Sequence, residues 1–304
     1  MRIYDVAMTH QLDADDFFIH RIQQHCAEAR LNFFLIEPLW ADAWLQNLVM
    51  GKIGARVLLN MHSEHHQPDE VFHRLVRLAA QKNTRVIDPP DVAQAAFDKA
   101  QLHPRLIFAG IHVPHSIVVP FEKAVSLQLT EAEREMIGSP FVIKPSMGYG
   151  RRGLVLNATS EKDLAVSAAA WKNSHYLLQR KIVPRQFNGD PAYFRAYFVF
   201  GQIWICWWNC FTDRYRQATA DEIARYSLGR LEQIIRTIAG LTGMNFFSSE
   251  IAVTEANEFI VIDYVNDQCH LLTQSASPHN GVPDDVVAAI ARQLVEAARG
   301  LIRQ

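Results

Sequence analysis

Residues 144–153, KPSMGYGRRG, decide the fold class of this chain, because three glycines in GxGxxG spacing follow a lysine. The apolar run Pro140–Lys144 precedes the loop and a second apolar run, Leu154–Leu156, follows it. A dinucleotide fingerprint runs from a strand into a helix, and a Walker loop ends in Gly-Lys-Ser/Thr, so the sequence fits neither. The pattern therefore predicts strand, flexible flap and strand. Backbone N–H groups of such a flap can meet phosphate oxygens, with Lys144 as a fixed charge at its base. A surface hairpin with a mobile tip is the alternative.

The protein-kinase pattern GxGxxGxV also matches literally, through Val155. Kinases place their lysine after the loop and carry HRD and DFG motifs. Here Lys144 precedes the loop and neither motif is present, so a kinase of that fold is excluded.

Composition bounds the class of protein. The chain has 304 residues, 49% of them hydrophobic, and 30 basic residues nearly cancel 32 acidic ones. This balance gives no reason to expect binding of nucleic acid or of a membrane surface. The four cysteines are scattered without a CxxC pair, and no apolar run approaches the ~18 residues of a membrane span. We expect a soluble cytoplasmic enzyme.

Domain boundaries are predicted where prolines interrupt the pattern of elements. In residues 1–90 strands alternate with amphipathic helices, which predicts a parallel α/β sheet that ends at Pro89 and Pro90. Residues 91–183 hold the flap, and a linker follows from Pro184. Residues 184–304 are expected to be α+β, with a hairpin around Gly201. In the middle segment Asp91 is expected to cap a helix that runs through Asp98 and Lys99.

A second hairpin is predicted around residues 255–258, with carboxylates on both strands. If its turn is symmetric, Glu250 stands opposite Asp263, with Cβ atoms ~5 Å apart. Like charges at such a position repel unless a proton or a cation intervenes, and Mg²⁺ prefers oxygen ligands of this kind. Asn266 adds a neutral oxygen. The alternative is an exposed hairpin whose carboxylates lie in water, or a different turn length.

The order of these motifs resembles the ATP-grasp superfamily, in particular its ribosomal-protein-modifying glutamate ligases and its glutathione-synthetase-like branch. Five stretches carry the resemblance: Asp98-Lys99 with residues 110–114, the lysine strand and flap, residues 178–182, residues 194–201, and the carboxylate hairpin with Asn266. The resemblance covers most of the chain in order. It implies a Rossmann-like pre-ATP-grasp domain followed by two lobes that clamp ATP.

The resemblance implies a role for each candidate residue. It implies nucleotide binding by Lys99, Lys144, Gly148, Tyr149, Gly150, Gly153, Gln179, Arg180, Lys181 and Ile182. It implies catalysis by Arg195 together with Lys144, with the guanidinium binding the transferring phosphoryl group and the oxyanion. It implies metal binding by Glu250, Asp263 and Asn266.

The activity implied is ATP-dependent carboxylate–amine ligation through an acyl phosphate, with release of ADP and phosphate. The expected cofactors are ATP and one or two Mg²⁺ ions, for which Mn²⁺ can substitute. The expected partners are a small-molecule or peptide carboxylate and an amine acceptor, and a homodimer is left open. Two alternatives remain: an ATP-grasp kinase that phosphorylates a small molecule, and a nucleotide-binding regulatory protein with reduced catalysis.

Overall fold

A computed structural model describes residues 1–10, 16–62, 67–124 and 126–304 of the chain. In these ranges the strands, in chain order, are β1 (Arg2–His10), β2 (Phe33–Ile36), β3 (Ile53–Met61), β4 (Arg85–Ile87), β5 (Ser116–Pro120), β6 (Phe141–Pro145), β7 (Val155–Ala158), β8 (His175–Arg180), β9 (Gln186–Phe187), β10 (Asp190–Pro191), β11 (Tyr193–Val199), β12 (Gln202–Trp208), β13 (Tyr215–Gln217), β14 (Phe246–Val253) and β15 (Phe259–Asn266). The α-helices are α1 (Asp16–Glu28), α2 (Pro38–Val49), α3 (Val71–Gln81), α4 (Pro90–Phe97), α5 (Lys99–Phe108), α6 (Glu131–Ile137), α7 (Asp163–Ala170), α8 (Ala220–Arg225), α9 (Gly229–Thr242) and α10 (Asp284–Ile302).

The chain divides into two compact units. The first holds residues 1–94, 194–248 and 266–304, and the second holds residues 95–193 and 249–265. These units are groups of residues in mutual contact, whereas the boundaries predicted at residues 90 and 183 divide the sequence into domains. The predicted boundaries therefore stay predictions. Among the described residues no helix combines the length and the apolar character needed to cross a bilayer.

The first unit begins with a four-stranded parallel sheet in the order β2-β1-β3-β4. Helices α2 and α3 cover one face, where Trp44, Leu58 and Phe72 share a core. Both faces of β1 are buried, as expected for a parallel sheet, since consecutive residues Val6 to Met8 have no exposed surface. This α/β architecture was predicted, and it is confirmed.

The same unit contains an antiparallel group of strands in the order β13-β12-β11. The predicted hairpin around Gly201 is confirmed, because Val199 pairs with Gln202. Phe200 and Gly201 form its two-residue turn with φ of 46° and 87°, the left-handed values that such a tight turn requires. The hairpin places Arg195 opposite Cys206 in the middle of a buried strand.

The second unit is built on an antiparallel sheet in the order β5-β8-β6-β7. Its apolar face, including Phe141, Ile143 and Tyr176, packs against α6 and α7. Strand β8 lies between β5 and β6, so Gln179 pairs with Ser116 on one side and Val142 on the other. The flap between β6 and β7 was predicted as strand, loop and strand, and this arrangement is confirmed.

One helix prediction is wrong in an informative way. The helix that starts after Pro89 ends at Phe97, whereas the prediction carried it through Asp98 and Lys99. Asp98 instead caps a new helix, since its side chain accepts hydrogen bonds from the N–H groups of Ala100 and Gln101. The cap makes Lys99 the first residue of α5.

Candidate active site

Two lysines meet a carboxylate in the second unit. Lys99 is 5% exposed, and its Nζ lies 3.3 Å from Oδ1 of Asp263. The Nζ of Lys144 donates a hydrogen bond of 2.9 Å to the carbonyl oxygen of Ile262, the residue before Asp263. Lys99 also lies 3.4 Å from the carbonyl oxygen of Gly148 at the base of the flap. Two cations from distant parts of the sequence therefore converge on one strand and one loop.

The pKa of Lys144 depends on burial and on three charged neighbours. Burial lowers the pKa of Lys144, and the charge of Lys99 lowers it further, whereas the charges of Asp263 and Glu250 raise it. All four side chains therefore lie close enough to influence one ammonium group. An added polyanion would favour the charged form of both lysines, since an opposite charge nearby stabilises it.

The start of α5 holds Lys99 in place. The N–H of Lys99 donates to the carbonyl oxygen of Ser146, and the Ser146 hydroxyl accepts from the N–H of Ala100 and donates to Asp98. Because Lys99 is the first residue of the helix, its charge adds to the positive end of the helix dipole. The helix start and the residue after β6 are thus joined by hydrogen bonds, which fixes the position of the Lys99 ammonium group.

Glycines determine the geometry of the flap. Gly150 and Gly153 have φ of 59° and 69°, left-handed values that glycine adopts without steric cost. At Gly153 space is also lacking, because an added Cβ would lie 2.7 Å from Cβ of Trp171 and 2.8 Å from Cγ of Pro145. Gly148 has ordinary backbone, and Tyr149 lies at the tip with the guanidinium of Arg152 over its ring. The flap therefore combines a fixed carboxyl end with an open tip.

A side-chain amide fixes the amino end of the same flap. Asn173 accepts a hydrogen bond of 3.1 Å from the N–H of Met147 and donates one of 2.7 Å to its carbonyl oxygen. The indole N–H of Trp171 donates to that oxygen as well, at 3.0 Å. The sequence offers no signal for this arrangement, because it joins residues from two separate segments.

The segment predicted to bind adenine is divided by the end of β8. Gln179 and Arg180 lie within the strand, and the N–H of Arg180 donates to the carbonyl oxygen of His115. Lys181 and Ile182 follow the strand, and among the described residues none accepts a hydrogen bond from their N–H groups. The backbone available to a ligand is thus that of Lys181 and Ile182.

The predicted metal ligands lie on the two strands of the carboxylate hairpin, Glu250 on β14 and Asp263 and Asn266 on β15. The N–H of Thr254 donates to the carbonyl oxygen of Glu258, with Asn257 at φ 59°. The predicted register, with Glu250 opposite Asp263, assumes a symmetric turn over residues 255–258. The turn that this hydrogen bond closes is one residue shorter. Glu250 is 8% exposed and accepts a hydrogen bond of 3.3 Å from the Tyr193 hydroxyl.

The donor chemistry of the hairpin fits Mg²⁺. Glu250 and Asp263 supply carboxylate oxygens in the second unit, and their charges both act on Lys144. Mg²⁺ is usually held by one or two carboxylates together with substrate phosphates. Asn266, which the first unit contains, has a buried side-chain nitrogen without a hydrogen-bond partner among the described residues. No cluster of three His, Cys, Asp or Glu side chains suited to a metal occurs in the described ranges.

The predicted catalytic arginine lies in the first unit. Arg195 is 9% exposed on β11, with its guanidinium carbon 4.8 Å from the ring centre of Trp208 and 5.6 Å from that of Tyr215. Stacking on aromatic faces restrains a guanidinium without using its hydrogen-bond donors. The structure brings Lys99, Lys144, Glu250 and Asp263 together in one unit and places Arg195 in the other.

Comparisons with known proteins bear on the fold. No family model matches the sequence, and a comparison with well-described protein sequences found no match. Solved structures do match over nearly the whole chain. A RimK-domain ATP-grasp protein from Sphaerobacter thermophilus has a TM-score of 0.64 at 17% identity, covering 97% of this chain and 98% of that one. D-alanine–D-alanine ligase from Bacillus anthracis, complexed with ATP, has a TM-score of 0.68 at 13% identity, with coverages of 100% and 98%.

A third structure is the ATP-grasp ligase PsnB complexed with a minimal precursor, Mg and ADP. It has a TM-score of 0.61 at 13% identity, with 99% of each chain covered. The chain has the ATP-grasp fold. This confirms the prediction made from motif order. Identities this low concern the ATP-grasp fold itself, so the roles of individual residues stay predictions.

Proposed function

We propose that this protein is an ATP- and Mg²⁺-dependent carboxylate–amine ligase that works through an acyl phosphate and releases ADP and phosphate. One observation carries the proposal. Lys99 and Lys144 converge with Asp263 and Glu250 beside the base of a glycine flap, in a chain with the ATP-grasp fold. The structural neighbours include ligases, among them one complexed with ATP and one with Mg and ADP.

Phosphate binding is assigned to the lysines and the flap. The two ammonium groups bind phosphate oxygens as point charges, and N–H groups of the flap tip at Tyr149 and Gly150 reach the same oxygens. Two cations held close together repel one another, and burial already lowers the pKa of Lys144. Bound phosphate compensates both the repulsion between the lysines and the cost of burying their charge, so the cluster favours a polyanionic ligand over an empty site.

The remaining parts of the nucleotide site follow from the contacts described above. Lys181 and Ile182 offer backbone N–H and C=O groups to the adenine edge, which distinguishes adenine from other bases by hydrogen bonding. Glu250 and Asp263 would hold Mg²⁺ in the second unit, and Asn266 is the further ligand that the resemblance implies. Bound Mg²⁺ neutralises charge on the phosphate oxygens and orients the transferring group.

The chemistry needs no nucleophile from the protein. A carboxylate oxygen of the substrate attacks the γ-phosphorus, the bond from that phosphorus to the bridging oxygen breaks, and ADP leaves. An amine then attacks the acyl carbon of the acyl phosphate, and phosphate leaves as the amide forms. Arg195 is proposed to bind the anionic oxygens of this intermediate, as a planar guanidinium with five donors can.

The substrates are proposed by class. PsnB was solved with a precursor and a second neighbour is a D-alanine–D-alanine ligase. We therefore assign this chain an amino acid or peptide carboxylate and an amine acceptor. The proposal includes one or two Mg²⁺ ions, for which Mn²⁺ can substitute, and leaves a homodimer open.

The proposal is tested by measuring ADP release from the full chain with ATP and Mg²⁺. The carboxylate panel comprises L- and D-amino acids and N-acetylated peptides with free carboxyl termini or acidic side chains, each with and without hydroxylamine. Hydroxylamine traps an acyl phosphate as a hydroxamate. We expect carboxylate-dependent ADP release and hydroxamate formation. A stable phosphorylated product without amine would instead identify a kinase, and ATP binding without turnover would identify a regulatory protein.

A further inference from the structure

His270 is a second candidate for chemistry in the first unit, and it was not assigned a role above. It is half-buried in the segment after β15, and its ring stacks on that of Tyr215 with centres 5.9 Å apart and planes at 19°. Its Nε2 lies 2.9 Å from the backbone carbonyl oxygen of Asn280. The backbone carbonyl of His270 accepts a hydrogen bond of 3.2 Å from the Tyr197 hydroxyl. The imidazole is therefore held in one orientation from several sides.

The contact with Asn280 determines the tautomer of the neutral ring. A carbonyl oxygen can only accept a hydrogen bond, so Nε2 must carry the hydrogen. Nδ1 then bears the lone pair. Among the residues that the structure describes, none donates a hydrogen bond to this atom. Such a histidine can act as a general base. The carbonyl oxygen orients one ring nitrogen, and the unprotonated nitrogen can accept a proton.

Burial favours the neutral form of this base. Burial lowers the pKa of His270, the hydrogen bond to Asn280 raises it, the charge of Arg195 lowers it, and the charge of Asp213 raises it. Two phenols are further ionisable neighbours: that of Tyr215 faces the ring by stacking, and that of Tyr197 donates to the backbone carbonyl oxygen. The net direction is downward, and the nearby guanidinium contributes to it, so the surroundings favour the neutral form of the imidazole.

An aromatic ring connects His270 with the predicted catalytic arginine. The guanidinium carbon of Arg195 lies 5.6 Å from the centre of the Tyr215 ring on which His270 stacks. Arg195, which is proposed to bind the acyl phosphate, thus contacts the same Tyr215 ring as the imidazole of His270, within one unit. We propose that His270 is the general base that takes the proton from the attacking amine. This proposal rests on the proposed ligase function.

The proton balance of the step is complete. Nδ1 of His270 takes one proton from the ammonium group of the acceptor, which leaves a neutral amine. The amine nitrogen then forms a bond to the acyl carbon, the bond from that carbon to the phosphate oxygen breaks, and the phosphate leaves with the electron pair and the second proton from nitrogen. The imidazolium releases its proton to water, which restores the neutral ring.

The first test does not depend on activity. Long-range ¹H–¹⁵N correlation spectra of the ¹⁵N-labelled full chain, assigned by comparison with His270→Gln, report the tautomer and the titration of His270. We expect the Nε2–H tautomer and a pKa below the ordinary value of about 6.5. An Nδ1–H tautomer, or a ring protonated at pH 7, would overturn the proposal while leaving the ligase function untouched.

The second test separates the two half-reactions. Gln at position 270 can still donate to the Asn280 carbonyl oxygen but cannot take a proton. With the carboxylates that support ADP release, His270→Gln is expected to lower amide formation with glycinamide by about 100-fold at pH 7.5, the range of a lost general base. Hydroxylamine is largely unprotonated at this pH, so hydroxamate formation should remain near that of the unaltered protein.

Controls make the outcome of the second test decisive. His279→Gln changes an exposed histidine of the same segment and should leave both products unchanged. In His270→Gln, amide formation should recover as pH rises toward 9, because the amine then loses its proton to solvent. Equal loss of both products, or no loss of either, would overturn the base assignment. Absence of ADP release from the unaltered chain with every carboxylate would overturn the ligase function and the base with it.

Discussion

The Nζ atom of Lys99 lies 3.3 Å from Oδ1 of Asp263, so the first residue of α5 is paired with a carboxylate on the hairpin of β14 and β15. The side chains are 6% and 21% exposed, which makes this contact a shielded ion pair rather than a surface one. Lys144 reaches the same strand through the Ile262 carbonyl oxygen. The pair therefore joins the helix start, the lysine strand and the hairpin, the three parts to which phosphate and Mg²⁺ binding are assigned in the proposed function.

Replacing Lys144 tests the phosphate role directly. Lys144→Met removes one ammonium group and keeps the stem of the side chain within the sheet. We expect ADP release to fall by about 10- to 100-fold, since a hydrogen bond to a charged group contributes about 1.5–3 kcal/mol. Lys123→Met, an exposed lysine of the same unit, is the control. Equal steady-state rates for the two variants would contradict the assignment of Lys144.

Replacing Asp263 tests the ion pair and the metal role together. Asp263→Asn leaves Lys99 and Lys144 with less compensating charge, so we expect unfolding free energy at pH 7 to fall by about 1–3 kcal/mol. Apparent Mg²⁺ affinity, measured by calorimetry with ADP present, should fall as well. Glu258→Gln removes a half-exposed carboxylate of the same hairpin, paired at 4.0 Å with His112, and serves as the control. Unchanged Mg²⁺ affinity in Asp263→Asn would exclude Asp263 as a ligand.

His103 predicts how stability depends on pH. Its Nδ1 lies 2.6 Å from the Tyr264 hydroxyl, and burial lowers the pKa of His103 to about 4. The unfolded chain therefore binds a proton near pH 6.5 that the folded chain does not bind until about pH 4. The free energy of unfolding therefore falls by up to about 3 kcal/mol as the pH decreases from 6.5 to about 4.

Urea unfolding of His103→Gln checks this sign. The variant should lose less stability between pH 7.5 and 4.5 than the unaltered protein. His112→Gln, with a side chain that is half exposed, should keep the original slope. Parallel pH profiles for the unaltered protein and His103→Gln would show that His103 does not titrate in this way.

The flap offers a matched pair of glycine variants. Gly150 and Gly153 both have left-handed backbone, yet nothing lies within 4 Å of an added Cβ at Gly150. Gly150→Ala should therefore cost only the conformational penalty of about 1 kcal/mol. Gly153→Ala adds steric overlap with Trp171 and Pro145 and should cost about 3 kcal/mol. Denaturant unfolding measures both, and tryptic cleavage after Arg152 should accelerate mainly in Gly153→Ala.

Local signals account for what was predictable in this chain. The position of Lys144 before a glycine loop, and the hairpin at Gly201, depend on residues next to one another, and both elements are confirmed. Asp98 was misassigned because a capping aspartate and a helical aspartate look alike when one helix directly follows another. The shorter turn at Thr254 depends on one left-handed asparagine, Asn257, which the residue pattern did not single out.

Contacts between distant segments account for what was not predictable. The clamp of Asn173 on Met147, the bond of His103 to Tyr264 and the stacking of His270 on Tyr215 each join residues that have no sequence relationship. Such pairs exist only once the strands are assembled, so no spacing rule reports them. For Arg195, the resemblance gave a role, but only the fold revealed its aromatic neighbours.

The close approach of Trp171 to Gly153 has a consequence for how this sequence can diverge. A mutation that replaces the glycine brings the new Cβ against Cβ of Trp171 and Cγ of Pro145. A smaller side chain at position 171 keeps its own Cβ and leaves Pro145 in place, so a second mutation there does not remove the overlap. Among descendants of this chain we therefore expect Gly153 to persist, whereas at Gly150 only the left-handed backbone opposes a side chain.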